Sequence, residues 1–363
     1  MKRRERLFVL IHNQRTKFFN ELISNVIDDT EVEVHVFSNR NQHWVNGLAK
    51  PKNAVFCSLN FSDLEKREIK SDINYINTVI KCAEKAVGIS AKRILMTDER
   101  KWGSGFRNGS WSWFDDPIAK KVEQNPSLAS NILIKAFDFW LEKIHLFGPN
   151  KIILGHASGV FAGSLFFLSK SIGVDVYINR RSKILNDRFY WTSDWLEQNK
   201  RGLKLASHLL GEKNNPTKRS LDFIRRFKEK PAPIAYISQN WRIAQSSLIK
   251  KMRLYIGASR ALLLFKFGLI KGDEPIGPFV RIKADLRAFI NLSKKRRFVS
   301  DLETAHLETM QYVYFPLHKE PELALNKLCP MWHDQMHLVR WISSNLPNGY
   351  KLIVKDHRFN DGR

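Results

Sequence analysis

Short β-branched runs that alternate with helix-period segments constrain this chain most. Leu7 to Ile11, Val32 to Phe37, Ala54 to Ser58, Arg93 to Thr97, Lys151 to Leu154 and Val174 to Ile178 each read as a short strand. Between them, Phe18 to Val26 and Ile73 to Val87 carry helical spacing. Asn125-Pro126 opens a longer helix whose buried face is Ile132, Leu133, Ala136, Phe137, Trp140 and Ile144, and Gly148-Pro149 ends it. This alternation predicts an α/β domain with a largely parallel sheet and helices on both faces.

The end of the chain repeats the pattern. Tyr312 to Pro316 reads as a buried strand. Pro330 suits a first helical turn, and Met331, Trp332, Gln335, Leu338, Val339, Ile342 and Leu346 mark one face of the helix that follows. Asn345, Pro347 and Gly349 stop the helix and turn the chain into a second strand, Tyr350 to Lys355. A strand–helix–strand crossover is almost always right-handed with parallel strands. Both strands then end on one sheet edge, where ligands of open α/β sheets bind. His318 and Glu320 follow the first strand, and Lys355, Asp356 and His357 follow the second, so ionisable groups gather where an anion would sit.

Two further strand ends nominate residues. Asp98 and Glu99 follow Arg93 to Thr97 and are candidate acidic groups for catalysis. Lys151 to Gly159, KIILGHASG, is a strand, a small-residue turn and a helix N-terminus over Val160 to Ser171, an arrangement that favours anions. His156 there faces the cleft, or the small residues serve close helix–strand packing; both readings stand. Ser158 lies one place late for the G-x-S-x-G hydrolase elbow. Gly103, Gly105 and Gly109 do not form G-x-G-x-x-G, so a dinucleotide site is not expected. Interleaved with Trp102, Phe106, Trp111 and Trp113, they suggest either an aromatic acceptor-binding loop or a loop packed on the core. Arg180, Arg181 and Arg188 suit an anionic sugar or phosphate, because a guanidinium binds two oxygens at once, or form a solvated basic surface.

Charge narrows the partners. The 363 residues carry a net charge of +24, spread along the chain. A surface this basic meets nucleic acid, anionic lipid or phosphorylated sugars. No zinc-finger spacing, aromatic RNA-binding strand or basic zipper is present, so no nucleic-acid partner is expected. Trp241 to Lys271 is a basic amphipathic segment interrupted by Gly257, suited either to an anionic membrane surface or to an ordinary core helix. Gly272 to Glu303 is charged and reads as a linker. The first apolar run, Leu7 to Ile11, is too short for a signal-peptide core, and no run approaches the ~20 apolar residues of a membrane span. Cys57, Cys82 and Cys329 are widely spaced, which argues against a disulfide framework. A cytoplasmic protein is expected, with peripheral binding to the inner face of the cytoplasmic membrane. His333 and His337 have zincin spacing, but Asp334 replaces the glutamate base and no third ligand follows, so no metal is expected.

FPLH-x-E-P-E after Tyr314, Asp334-Gln335 in the helix, and LP-x-G-Y-K-L-x-V-K-D-H from Leu346 resemble the start of the C-terminal domain of bacterial capsule and surface-polysaccharide biosynthesis proteins. That family contains Kdo transferases and related GT-B glycosyltransferases. It usually continues K-E-H-P, where this chain has Lys355-Asp356-His357-Arg358. RILMTDER, KIILGHASG and the Asp187 to Trp191 segment follow in the family's order. The resemblance implies an α/β, GT-B-like fold of two Rossmann-like domains, the second incomplete. Residues 1–271 would form the acceptor domain, 272–310 the linker and 311–363 the start of the nucleotide-sugar domain. It implies transfer of a sugar, Kdo being one candidate, from a nucleotide-sugar donor to a glycan or glycolipid acceptor, without a cofactor or metal. Asp98, Glu99, His318 and Lys355 would be catalytic; His156, Arg180, Arg181, Arg188, Glu320, Asp334, Gln335 and His357 would bind substrate. The family's later donor loops are absent, so the expectation is a C-terminally truncated chain, inactive in isolation, whose last strand has a poorly covered edge. The competing classes are a non-catalytic basic protein that binds anionic glycan or lipid, and a sugar-nucleotide epimerase.

Overall fold

A computed structural model describes residues 5–11, 21–22, 32–38, 54–59, 61–97, 125, 127–181, 189–211, 217–229, 248–269, 309–318, 324–332 and 334–357, with positions 277–279, 282–283, 286, 290 and 294. Its centre is a six-stranded sheet. β1 (Glu5–Ile11), β2 (Val32–Ser38), β3 (Ala54–Ser58), β4 (Lys151–Leu154), β5 (Asp175–Arg181) and β6 (Phe189–Thr192) stand in the order β3-β2-β1-β4-β5-β6. Every pairing is parallel except β5 with β6. The chain adds strands outward from β1 to β3 and then returns to place β4 on the other side of β1, so the order of addition reverses there, the point at which Rossmann-like sheets bind ligands beyond their carboxyl ends.

The period-two pattern explains why β1 is central. Phe8 and Leu10 enter one core with Phe37, Trp140, Ile152 and Leu154, while Leu7, Val9 and Ile11 enter a second with Val32, Val34 and Val36. A strand buried on both faces reads as a continuous apolar run. The helices are α1 (Phe61–Lys66), α2 (Ile73–Val87), α3 (Lys92–Met96), α4 (Ser127–Phe147) and α5 (Gly159–Ser171). Every residue of α5 from Val160 to Ser169 is buried, as expected of a helix that is apolar all round. A Cβ at Gly163 would stand 2.6 Å from Ile94 Cγ2, so glycine lets α5 seat directly on α3. That contact corrects one expectation. Arg93 to Thr97 is not a strand; Lys92–Met96 is a helix whose buried residue is Ile94. Its short apolar run satisfies either period, and the packing against Gly163 decides between them. β6 carries no sequence signal that was read as a strand. Of the helix expected at Phe18 to Val26, only Glu21 and Leu22 are described, and both are helical.

Beyond β6 come α6 (Lys200–Gly211), α7 (Lys218–Glu229) and α8 (Leu248–Lys266), then β7 (Tyr312–Pro316), α9 (Gln335–Ser344) and β8 (Lys351–Lys355). α8 runs unbroken through Gly257, because a single glycine weakens a helix without ending it. The described positions from 278 to 294, within the stretch read as a linker, are helical. β7 and β8 pair in parallel and form a separate two-stranded sheet. α9 starts later than expected: Pro330–Trp332 is a separate 3-10 turn, and Asp334 caps α9 by accepting from the His337 amide at 3.0 Å. Leu338, Val339, Ile342 and Leu346 are half-buried, whereas Met331 and Trp332 are exposed. β7 is not buried: Tyr312 and Tyr314 are 42% and 50% exposed, so one face of the small sheet lies open.

A buried carboxylate ties the first core together. Asp138 on α4 has no exposed side-chain surface and accepts from the Lys70 and Ser71 amides at 3.2 and 3.0 Å, and from Arg67 Nη2 at 3.2 Å. Burial alone would raise its pKa; the bonds from Ser71, Lys70 and Arg67 outweigh burial and hold it below the ordinary value. Arg67 also bonds Glu142 at 2.6 Å and, with lesser help from Lys70 and Lys143, pulls that carboxyl down to about 2. Both carboxylates bind protons less readily folded than unfolded. Their contribution is therefore present above the ordinary carboxylate range and is lost as pH falls through the folded values. Stability to urea should decline between about pH 4 and pH 2, and Asp138→Ala, which orphans two amides, should cost ~2–4 kcal/mol and flatten that decline. An unchanged acid profile in Asp138→Ala would show that this network does not govern it.

Candidate functional site at the carboxyl edge

Beyond the carboxyl end of β4, a side chain from far along the chain is buried against the β4–α5 turn. Ala324–Leu328 is a short π-helical turn, and its Lys327 side chain has no exposed surface. Lys327 Nζ donates to the Ala157 carbonyl at 2.7 Å and to Glu197 Oε1 at 2.5 Å, and lies 4.5 Å from the Trp195 ring centroid. Arg180 Nη1, at the end of β5, meets the other Glu197 oxygen at 2.7 Å. The Ala157 amide also donates to Glu197 Oε1, at 3.3 Å. One buried carboxylate is thus shared by two cations and a backbone amide. Beside Lys327, Asn326 Nδ2 donates to the Met96 carbonyl at 3.3 Å.

The local chain explains these positions. Trp195 wedges between Phe166 and Phe167 of α5, with centroids 5.6 and 5.1 Å away. The chain then turns sharply, and Glu197 adopts φ +58 while its amide donates to the Asp194 carbonyl at 3.0 Å. A left-handed glutamate costs ~1–2 kcal/mol, so the ion pairs must hold it there. Burial lowers the Lys327 pKa from 10.5 to about 8, with Glu197 opposing the shift.

The β4–α5 turn is organised for close packing. Gly159 has φ +76, where a side chain would be strained, and its amide donates to Thr97 Oγ1 at 2.8 Å. Thr97 therefore fills part of the helix end expected to hold an anion. His156 is half-buried, and its Nδ1 is hydrogen-bonded to Ser158 Oγ.

The small sheet has an edge of its own. Pro316 pairs with Lys355, and the Leu317 amide donates to the Lys355 carbonyl at 2.8 Å, so His318, Lys355 and His357 follow strands that end together, as expected. His318 and Lys355 are exposed and His357 is half-buried. Gln335, 2% exposed, accepts from the His318 amide at 2.6 Å and donates to the His318 carbonyl at 3.0 Å. Gln335 thus positions the His318 turn, and Asp334 caps the helix that carries Gln335. Asp356 accepts from the His357 amide at 2.8 Å.

Asp98, Glu99, Arg188, Glu320, His333 and the aromatic loop at Lys101 to Asp116 lie outside the described residues, as does the Arg181 side chain. The strand-end argument for Asp98 and Glu99 falls, because a helix precedes them. Lys327, Glu197 and Thr97 were not singled out from sequence. The one signal for Lys327 is a polar pair, Asn326-Lys327, inside the apolar run from Leu323 to Leu328. Among the described residues no cluster of three or more His, Cys, Asp or Glu could hold a metal. No family model, curated protein or solved structure matches the chain.

Removing Glu197 leaves buried Lys327 and part-buried Arg180 without their counter-charge, whereas removing Lys327 leaves Glu197 still paired with Arg180. Glu197→Ala should therefore cost ~3–5 kcal/mol in denaturant unfolding and Lys327→Met clearly less. Between pH 8 and 10.5 unfolded Lys327 holds a proton that the folded chain has released, so stability should rise with pH there, and Lys327→Met should abolish the rise. Equal losses in the two variants would show that the carboxylate is not shared.

Proposed function

We propose that the chain is a GT-B-type glycosyltransferase of bacterial surface-polysaccharide assembly. It would take a nucleotide-sugar donor and a glycan or glycolipid acceptor. The observation that carries this reading is the parallel pairing of β7 and β8, which gives His318, Lys355 and His357 one common edge. The resemblance of the same residues to the capsule-biosynthesis family supports it. So does the Rossmann-like order of the first sheet, with His156 just after β4 and Arg180 at the end of β5.

Transfer breaks the bond from the sugar's anomeric carbon to a phosphate oxygen and forms one to an acceptor hydroxyl oxygen. Negative charge gathers on the departing nucleotide phosphate, and fixed cations and N–H donors stabilise it. Lys355 offers a point charge, and His318 and His357 offer hydrogen bonds. With the strand-end argument withdrawn, the family resemblance alone puts forward Asp98 and Glu99 to take the acceptor's proton. No helix among the described residues is long and apolar enough to cross a membrane. A peripheral place on an anionic membrane fits the charge of +24 and α8. There Met252, Ile256 and Leu263 share one exposed stripe that Phe267 continues just past the helix end, with Arg253 and Arg260 beside it.

Titration with a panel of nucleotide sugars should raise the melting temperature with one donor class. In a catalytically active preparation, His318→Ala and Lys355→Ala should each lower nucleotide release by ~10-fold or more with the fold intact. Normal turnover in both variants would move the site elsewhere. Turnover of donor without acceptor would favour an epimerase. Absence of any donor effect, alongside binding to anionic glycan or lipid, would favour a non-catalytic binding protein.

A further inference from the structure

We propose that α7, Lys218–Glu229, is an in-plane helix that inserts its apolar side into an anionic bilayer surface. The idea rests on the peripheral-membrane reading above and assigns the insertion to an element that reading did not use. α7 has the sequence KRSLDFIRRFKE. Leu221, Phe223, Ile224 and Phe227 fall on one side of the helix and are 52%, 36%, 47% and 56% exposed. Phe223 and Phe227, one turn apart, stack with ring centroids 6.1 Å apart. Lys218, Arg225, Arg226 and Lys228 are exposed on the same helix, against only Asp222 and Glu229. Arg225 meets Asp222 at 3.1 Å, which leaves Lys218, Arg226 and Lys228 in clear excess.

Two physical points select the occupant. A helix of this length is marginal in water, and no described residue of α7 is buried, so its apolar side needs a cover outside the chain's own core. The charge pattern then selects the chemistry of the cover. An apolar side bearing phenylalanine and a polar side rich in Lys and Arg is the composition that lies in a headgroup interface. The same charge and exposure recur nearby: Phe279, Ile282, Leu286 and Ile290 follow helical spacing, are exposed, and lead into Lys294 to Arg297. A protein partner would need a strongly acidic groove, whereas an anionic bilayer supplies both the charge and the apolar depth at once.

The test is co-sedimentation of the whole chain with vesicles of phosphatidylcholine alone and with phosphatidylglycerol added, at low and high salt. The wild type should pellet with the anionic vesicles and be released by high salt. Phe223→Ser/Phe227→Ser should weaken partitioning at low salt by ~10-fold or more, since each buried aromatic contributes strongly to transfer. Its circular dichroism and thermal unfolding should stay unchanged, because neither ring belongs to the core. Arg225→Glu/Arg226→Glu should weaken binding to anionic vesicles alone. Wild-type pelleting that survives the phenylalanine substitutions but is lost in Ile256→Ser/Phe267→Ser would refute insertion by α7 and leave the membrane location standing. No pelleting of the wild type with either vesicle would sink both.

Discussion

The arrangement of the molecule depends on Glu197. Its carboxylate is buried, held in left-handed backbone, and shared between Lys327 from the C-terminal part of the chain and Arg180 from the end of β5. A buried charge is tolerated only when its partners saturate it. Here the Ala157 amide, Arg180 and Lys327 do so, and Lys327 in turn donates to the Ala157 carbonyl. The β4–α5 turn, the end of β5 and the Ala324–Leu328 turn are thereby held at one point. That point is the carboxyl edge of the main sheet, where a ligand of such a sheet binds.

This gives the crevice a defined lining. α5 is buried from Val160 to Ser169 and seats on α3 through Gly163. Its first amide donates to Thr97 Oγ1. Beside that end, Arg180 is paired with Glu197 and His156 is bonded to Ser158. The shared cluster is chiefly structural, whereas exposed His318 and Lys355 remain available to solvent. The proposed chemistry thus divides between a fixed frame and an accessible cationic edge.

Much of the fold was legible because burial stamps its period on sequence. β1, β2, β3 and β4 were readable as β-branched runs, and the apolar face of α4 as a 3.6-residue repeat. Arg93 to Thr97 misled because five apolar-rich residues satisfy both periods, and only the contact of Ile94 with Gly163 settles the matter. The site was less legible. His318, Lys355 and His357 follow from where strands end, which sequence carries. Lys327 and Glu197 meet across 130 residues, and their pairing depends on packing around Trp195 that no local pattern encodes. The resemblance implied substrate binding by Gln335; its side-chain amide is bonded to the His318 backbone.

Hydrogen exchange of the whole chain, with and without a saturating nucleotide sugar, tests most directly whether the two edges form a donor site. Slowed exchange should appear together in the β4–α5 turn around Gly155 to Val160 and in the turns at Leu317-His318 and Asp356-His357. Protection confined to other segments, or no change with any nucleotide sugar, would contradict a donor site at these edges.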